Sequence, residues 1–355
     1  MNLKQKYPKI FLTGGTGWLG MRLAEALTQG NKMIDPHLDT KGCELICLVP
    51  AGQDFHQLKS LGATIVTGDL CNPAEVDHFL SKSENSLVLH IAGIIHPPKS
   101  TTWFDKINYE GTKNILEAAT HHHAKRLLVM SSNSPIGINP HPEHLFTEES
   151  PYAPYMGYGK SKHKMELMVR EAMKQSQRPE LTIIRAPWFY GPGQPPRQTQ
   201  FFTMIKNGKF PLMGKADNKR SMAFVDSLAY GILLAALSDA AVDEIFWIAD
   251  ERAYSMLEII NTVKDVLESD FGIQCKAKNL HVPSIIATIA ELCDGLLQKL
   301  GLYNQKIHVL SEMNKTIACD ISKAKAMLGY KPLVDLREGM RESISWCLNN
   351  KNSIE

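Results

Sequence analysis

"KIFLTGGTGWLGMRLAEALTQG", residues 9–30, reads as a strand, a glycine-rich turn and a helix in succession. Ile10 to Thr13 make an apolar run of strand length, and Leu19, Leu23, Ala26 and Leu27 recur at the spacing of one helix face. Gly14, Gly17 and Gly20 stand between and within them, three apart. Gly14 permits a tight turn, Gly17 lets the backbone approach a phosphate, and Gly20 lets the helix pack closely on its strand. The helix N-terminus then offers unpaired N–H groups and the positive end of its dipole, so the unit is suited to cradle a pyrophosphate. A glycine-rich turn alone also serves as a plain structural turn, so the rest of the chain has to decide.

Strand and helix signals alternate from residue 9 to about residue 187, which predicts an α/β fold built on a doubly wound parallel sheet with right-handed crossovers. After "FYGPGQPPRQTQ" (189–200), rich in proline and glycine, the pattern changes to a loop and helices suited to cap a cleft. The 355 residues exceed one ordinary core, in keeping with a large domain and a smaller lobe.

A second stretch carries chemistry. In "MGYGKSKHKM" (156–165), Tyr158 and Lys162 are four apart. On a helix they share a face about one turn apart, which can set an ammonium beneath a phenol. A free phenol has a pKa near 10, so ionising it at neutral pH costs roughly 4 kcal/mol, and a neighbouring cation must supply most of that.

The GxxGxxG spacing resembles the extended branch of the short-chain dehydrogenase/reductase superfamily, the NAD-dependent epimerase/dehydratase family, more than the GxGxxG dinucleotide fold. Further stretches follow in that branch's order: "GATIVTGDLCNP" (62–73), "VLHIAGIIHP" (88–97), "INYEGTKNILEAA" (107–119), "LLVMSSNSPIG" (127–137), the Tyr158 and Lys162 pair, "IIRAPWFYGPG" (183–193), "KRSMAFVDSLAYGILLAA" (219–236) and "DISKAKAMLGYKPLVDLREGM" (320–340). The resemblance covers nearly the whole chain and implies a Rossmann-type domain over 1–187, with 221–250 returning to it. Residues 188–220 and 251–355 would form an interleaved substrate lobe.

The resemblance also implies a site. Gly14, Gly17, Trp18, Leu19, Gly20, Asp69, Leu70, Ala92, Gly93, Lys162 and Pro187 would hold NAD or NADP. Tyr158 would be the proton acceptor, Ser132 a hydrogen-bond donor to the reacting oxygen, Lys162 the cation near the nicotinamide ribose, and Asn108 a brace for the local backbone. Ser134 is the substitute for Ser132 or a substrate contact. Members that dehydrate nucleotide sugars carry an Asp-Glu pair after the catalytic threonine; Asn133 and Ser134 stand there instead, which disfavours a dehydratase. The expectation is epimerisation or simple oxidation and reduction, by hydride transfer at a secondary alcohol or ketone, with a nucleotide sugar as the favoured substrate.

Two substrate classes compete. Arg220, with Arg197 in support, matches the arginine that nucleotide-sugar members place on the substrate diphosphate. The long apolar stretch after Val282 instead resembles 3β-hydroxysteroid dehydrogenase-like members, which accept hydrophobic alcohols. A catalytically silent NAD(P)-binding regulator is a third reading, against which the intact Ser132, Tyr158 and Lys162 set argues. The family often dimerises through helices corresponding to "EGTKNILEAA" and "SKHKMELMVREAM", so a homodimer is expected.

Cofactor choice has no clear signature. The strand "ELICLV" (44–49) ends in Pro50, where an acid would bind the adenosine ribose of NAD or an arginine the phosphate of NADP. Asp35 and Asp39 come too early, and Arg22 is a speculative phosphate partner.

The remaining signals exclude more than they assign. A formal charge of +2 without a long basic run argues against nucleic-acid partners. Seven scattered cysteines with no CxxC pair read as reduced thiols, and no signal-peptide core precedes the first strand, so a cytoplasmic protein is expected. "VPSIIATIAELCDGLLQKLGLY" (282–303) is interrupted by Glu291, Asp294 and Lys299, which argues against stable membrane insertion. Its Ile285, Ile289, Leu292, Leu296 and Leu300 predict an amphipathic helix covering a core or pocket, with contact to a membrane or partner as the alternative. His121, His122 and His123 read as a solvated turn and no metal is expected, because consecutive helix side chains point in different directions. His90 reads as core and His96 as a residue that faces the pocket; Trp188, Phe189 and Tyr190 are expected near the cleft.

Overall fold

The computed structural model describes residues 2–214, 216–350 and 354. Strand β1 (Lys9–Thr13) runs into helix α1 (Trp18–Thr28), followed by β2 (Glu44–Val49), β3 (Thr64–Thr67), β4 (Leu87–His90), α2 (Gly111–His121), β5 (Arg126–Ser132), α3 (Met156–Ala172) and β6 (Glu180–Ala186). Helices α4 (Pro196–Lys206) and α5 (Val225–Leu237) precede β7 (Glu244–Trp247), and α6 (Met256–Ser269), α7 (Ile285–Lys299), α8 (Gln305–Glu312) and α9 (Leu336–Asn349) follow it.

The seven strands form one sheet in the order β7-β6-β5-β4-β1-β2-β3, and every pairing is parallel. This is the doubly wound α/β sheet that the alternating pattern predicts. Helices cover both faces, so central strands such as "RLLVMSS" are buried along their whole length and read as near-continuous apolar runs. The order reverses between β1 and β4, which opens a crevice beyond their C-terminal ends.

A second apolar core lies outside the sheet, where Phe202 of α4 and Ile259, Ile260 and Val263 of α6 pack with Met340 and Ile344 of α9. Short strand pairs join the segments around it: 222–224 with 188–190, 219–220 with 254–255, and 280–282 with 211–213. Between them the chain returns to the sheet, with α5 against the main core and β7 at its edge.

Helix α7 overturns one expectation. Its inward face is Ala287, Ala290 and Asp294, whereas Ile285, Ile289, Leu292, Leu296 and Leu300 are all exposed. The periodicity is helical as predicted, but the stripe covers neither core nor pocket. Polar ties have taken the inner side: Asp294 to His308 on α8, Glu291 to Lys315, and Gln298 to the Gly157 N–H. Among the described residues no helix is long and apolar enough to cross a membrane.

Candidate active site

The crevice begins at the glycine-rich turn. Gly14 has φ +77°, and a Cβ there would lie 2.7 Å from the Ala92 backbone nitrogen. A Cβ on Gly20 would overlap the Gly14 carbonyl oxygen, so α1 approaches β1 as closely as backbone allows. Gly17 caps α1 without a side-chain hydrogen bond, which leaves first-turn N–H groups such as those of Trp18 and Leu19 free for an anion. The Trp18 indole donates to the Pro192 carbonyl at 2.7 Å and packs on Phe189 at 4.8 Å between centroids, joining the turn to the segment after β6.

Beyond the ends of β4 and β5 the polar groups converge. Asn108 sits in a π-helical run, Phe104–Glu110, and is fully buried. Its amide accepts the Ile94 N–H at 2.8 Å and donates to the Ile94 carbonyl and the Ser161 hydroxyl at 3.0 Å each. It therefore ties the segment after β4 to α3. Lys162 is buried on α3, and its ammonium donates to the Met130 carbonyl at 2.8 Å. A Cβ on Gly93 would come within 3.3 Å of that nitrogen, so the glycine leaves the lysine room beside the crevice. Burial pulls the Lys162 amine down to about 8, partly opposed by the Glu166 carboxylate.

Tyr158 lies one turn earlier, half-buried. Burial pushes its phenol up to about 12; the Ser132 hydroxyl, acting as a hydrogen-bond partner, works against that shift, and the Glu312 carboxylate adds to it. Ser132, at the last position of β5, also accepts the Ser134 N–H at 3.1 Å. The glycines around Tyr158 let α3 start here. A Cβ on Gly159 would stand 2.6 Å from the Ser134 carbonyl, and one on Gly157 would stand 2.9 Å from the Gln298 amide oxygen and 3.0 Å from the Phe104 ring.

A polar and aromatic cluster adjoins the phenol. Phe104 packs on both Tyr158 and Tyr303, whose hydroxyl is 2.6 Å from His96 Nδ1. Burial, with Arg197 and His308 nearby, depresses His96 to about 3, so the ring is neutral. His308 Nδ1 lies 2.7 Å from the buried Asp294 carboxylate; burial opposes its charge, but Asp294 and Glu312 hold it above its ordinary value. Arg220 donates to the Glu312 carbonyl, and burial lowers the guanidinium below its usual range. Arg197 is exposed on the first turn of α4. Among these, the sequence did not point to Tyr303, His308 or Glu312, and marked Asp294 only as a charge interrupting an apolar stretch; they come from the last third of the chain and only the fold brings them here.

Other residues are accounted for structurally. Asp69 accepts the Cys71 N–H at 2.9 Å in the turn after β3, and Leu70, whose carbonyl accepts the Asn114 amide at 2.7 Å, packs on Gly111. Pro187 is buried just beyond β6. Arg22 is not free for a phosphate, since it binds Asp226 through two nitrogens and also pairs with Glu25. Asp35 and Asp39 hold local structure, accepting the Asn31 N–H at 2.9 Å and the Asn2 amide at 2.5 Å. His90 is core, with its ring nitrogens 2.7 Å from Thr13 and 2.9 Å from Thr112. His121 and His122 do not diverge as expected: α2 ends there, and both rings meet Asp77, at 3.0 and 2.8 Å. That trio could hold a metal ion, unlike a regular helical run of histidines.

One buried ion pair also escaped the sequence reading. Glu166, one turn beyond Lys162, binds Arg185 of β6 at 2.7 Å and accepts hydrogen bonds from Ser131 at 2.5 Å and Tyr152 at 2.8 Å. A glutamate at i+4 on the buried face of α3 was the signal available.

Residues 10–249 match the sequence model of the NAD dependent epimerase/dehydratase family. An uncharacterized protein of Sinorhizobium fredii, y4nL, is 50% identical over 348 residues, covering 98% of this chain and 97% of that one. The UDP-glucose 4-epimerase of Vibrio cholerae is 25% identical over 355 residues, covering 98% of each. The crystal structure of dTDP-glucose 4,6-dehydratase from Bacillus anthracis in complex with NAD superposes with a TM-score of 0.73 at 20% identity, covering 97% of each chain.

Proposed function

The chain belongs to the NAD-dependent epimerase/dehydratase family, and from that premise we propose that it is an NAD(P)-dependent oxidoreductase or epimerase acting at a secondary alcohol or ketone of a nucleotide sugar. The observation that supports this reading is Tyr158 partnered by Ser132 at the end of β5, with Lys162 one turn along α3 and beside Gly93. Oxidation, reduction or epimerisation has no need of the Asp-Glu pair that dehydration requires, and Asn133 and Ser134 leave none here.

The residues fit the cofactor. The free N–H groups at the start of α1 suit a pyrophosphate, Ala92 and Gly93 leave an open wall, and Lys162, now on the Met130 carbonyl, would hold a ribose hydroxyl. NAD or NADP held there would supply the hydride exchange. Tyr158 exchanges the proton of the substrate hydroxyl, and Ser132 donates to the same oxygen as its charge changes. Asn108 keeps the wall and α3 in register, and Arg220, with Arg197, meets the substrate diphosphate.

The nucleotide-sugar class is favoured over a hydrophobic alcohol by the surroundings of Tyr158. His96, Tyr303, His308 and Arg220 are polar and oriented by partners, and the apolar stripe of α7 faces away from them. This reading takes residues 1–187 with 221–250 as the nucleotide-binding unit and 188–220 with 251–355 as the substrate lobe. It is completed by a cytoplasmic location and a homodimer through α2 and α3, testable by light scattering. Turnover and thermal stabilisation with UDP- and dTDP-sugars, compared with sterols and long-chain secondary alcohols, test the substrate class. Stabilisation by the alcohols alone defeats it.

A further inference from the structure

Helix α7 is amphipathic in the inverted sense: its polar residues hold it to the protein and its apolar residues face out. Ile285, Leu292, Leu296 and Leu300 are 62%, 71%, 62% and 67% exposed, and Ile289 continues the stripe between them. Leu280 before the helix and Leu302 after it extend the exposure, and Trp103 joins at the C-terminal end, where Thr101 N–H bonds the Gly301 carbonyl at 3.1 Å. Soluble monomers rarely expose a contiguous apolar patch above a few hundred Å², and a surface of this kind marks a contact.

The charges beside the stripe indicate what it contacts. The two acids of α7 are turned to the protein, Glu291 paired with Lys315 and Asp294 buried on His308. Exposed Lys276 and Lys278 precede the helix, Lys299 lies on its last turn, and Lys306 follows it. Among the described residues none of these four lysines is in an ion pair, and Lys106 lies over the Trp103 ring at 5.1 Å. An apolar stripe with a tryptophan at its margin and lysines at both ends has the composition of a helix that lies in a lipid interface. A second copy suits it poorly: because both ends are basic, pairing two stripes in either direction sets lysines against lysines.

We infer that α7 is the contact by which this protein binds the surface of an anionic bilayer, lying in the interface without crossing it. Lipid tails take up the Ile and Leu side chains, and acidic headgroups take up the flanking lysines.

The test is co-sedimentation of the full chain with vesicles of phosphatidylcholine alone and of phosphatidylcholine mixed with phosphatidylglycerol, at low and high salt. Binding is expected with the mixed vesicles, weakened by salt, and reduced at least tenfold in Leu292→Glu/Leu296→Glu and severalfold in Lys278→Glu/Lys299→Glu. Both pairs are exposed, so unchanged melting temperature and cofactor affinity will show that the fold is intact. No binding to mixed vesicles, equal binding to both compositions, or a dimer in light scattering that the leucine variant dissociates while vesicle binding is absent would each overturn the inference.

Discussion

The Lys162 ammonium donates to the carbonyl oxygen of Met130 at 2.8 Å, two residues before Ser132 on the same strand, instead of pairing with the Tyr158 phenol one turn away. The phenol is accordingly raised to about 12 by burial, and the amine does not counter it. The phenol in this environment keeps its proton at neutral pH.

The buried amine gives a pH signature. Its folded value of about 8 lies below the ordinary 10.5, so between those two the unfolded chain binds a proton that the native chain does not. Stability contributed by this group therefore rises with pH across that window and is lost as pH falls toward 8. Denaturant unfolding of the wild type and Lys162→Met should show their difference shifting in favour of the wild type from pH 8 to pH 10. A flat difference would place the amine in water.

Tyr158→Phe keeps the ring against Phe104 and removes the proton-exchanging oxygen. Turnover should fall by about 10²-fold or more while affinity for the reduced cofactor, read by fluorescence titration, stays within a few-fold. A large loss of cofactor binding would assign the residue a structural role.

Arg220→Ala should raise the KM for a nucleotide sugar by about 10- to 100-fold, the usual worth of a charge-assisted hydrogen bond, with little change in cofactor affinity. Steady-state kinetics and the same titration separate the two. An unchanged KM would leave Arg220 as a cap on the Glu312 carbonyl and no more.

Glu166→Gln leaves Arg185 buried without its counter-charge. It should cost about 3 kcal/mol or more, measured by denaturant unfolding. Because Glu166 also supports the charge on Lys162, the lysine's titration should move below 8 in the same variant.

Gly20→Ala brings a methyl group into the Gly14 carbonyl, which is backbone and cannot swing aside. A loss of about 2 kcal/mol or more, seen as a lowered melting temperature, is expected together with weakened cofactor binding. Retention of both would mean that α1 stands farther from β1.

The sheet was legible from residues 9–187 because parallel strands covered on both faces must be apolar throughout, and strand and helix periodicities differ. The glycine spacing was legible in part for a similar reason: a side chain on Gly17 or Gly20 would meet the Gly14 carbonyl a few residues away, whereas Gly14 itself is closed in by Ala92, just beyond β4, which only the fold brings there. Spacing also placed Tyr158 and Lys162 on one helix, while Asn108 was reached only through the family resemblance of its segment. It correctly gave α7 a helical stripe.

Tertiary structure decided where those groups point and what they touch. Helical periodicity states that residues share a face, not which face finds a partner. Asp294, Glu291 and Gln298 took the inner side of α7 because His308, Lys315 and Gly157 were waiting there, and the leucines were left outside. Lys162 turned to Met130 because the end of β5 offers a carbonyl within reach of the buried amine. His121 and His122 met at Asp77 because the helix ends between them. Each outcome depends on an atom supplied from elsewhere in the chain, and the energy of a buried polar group is set by that partner, which local spacing does not contain.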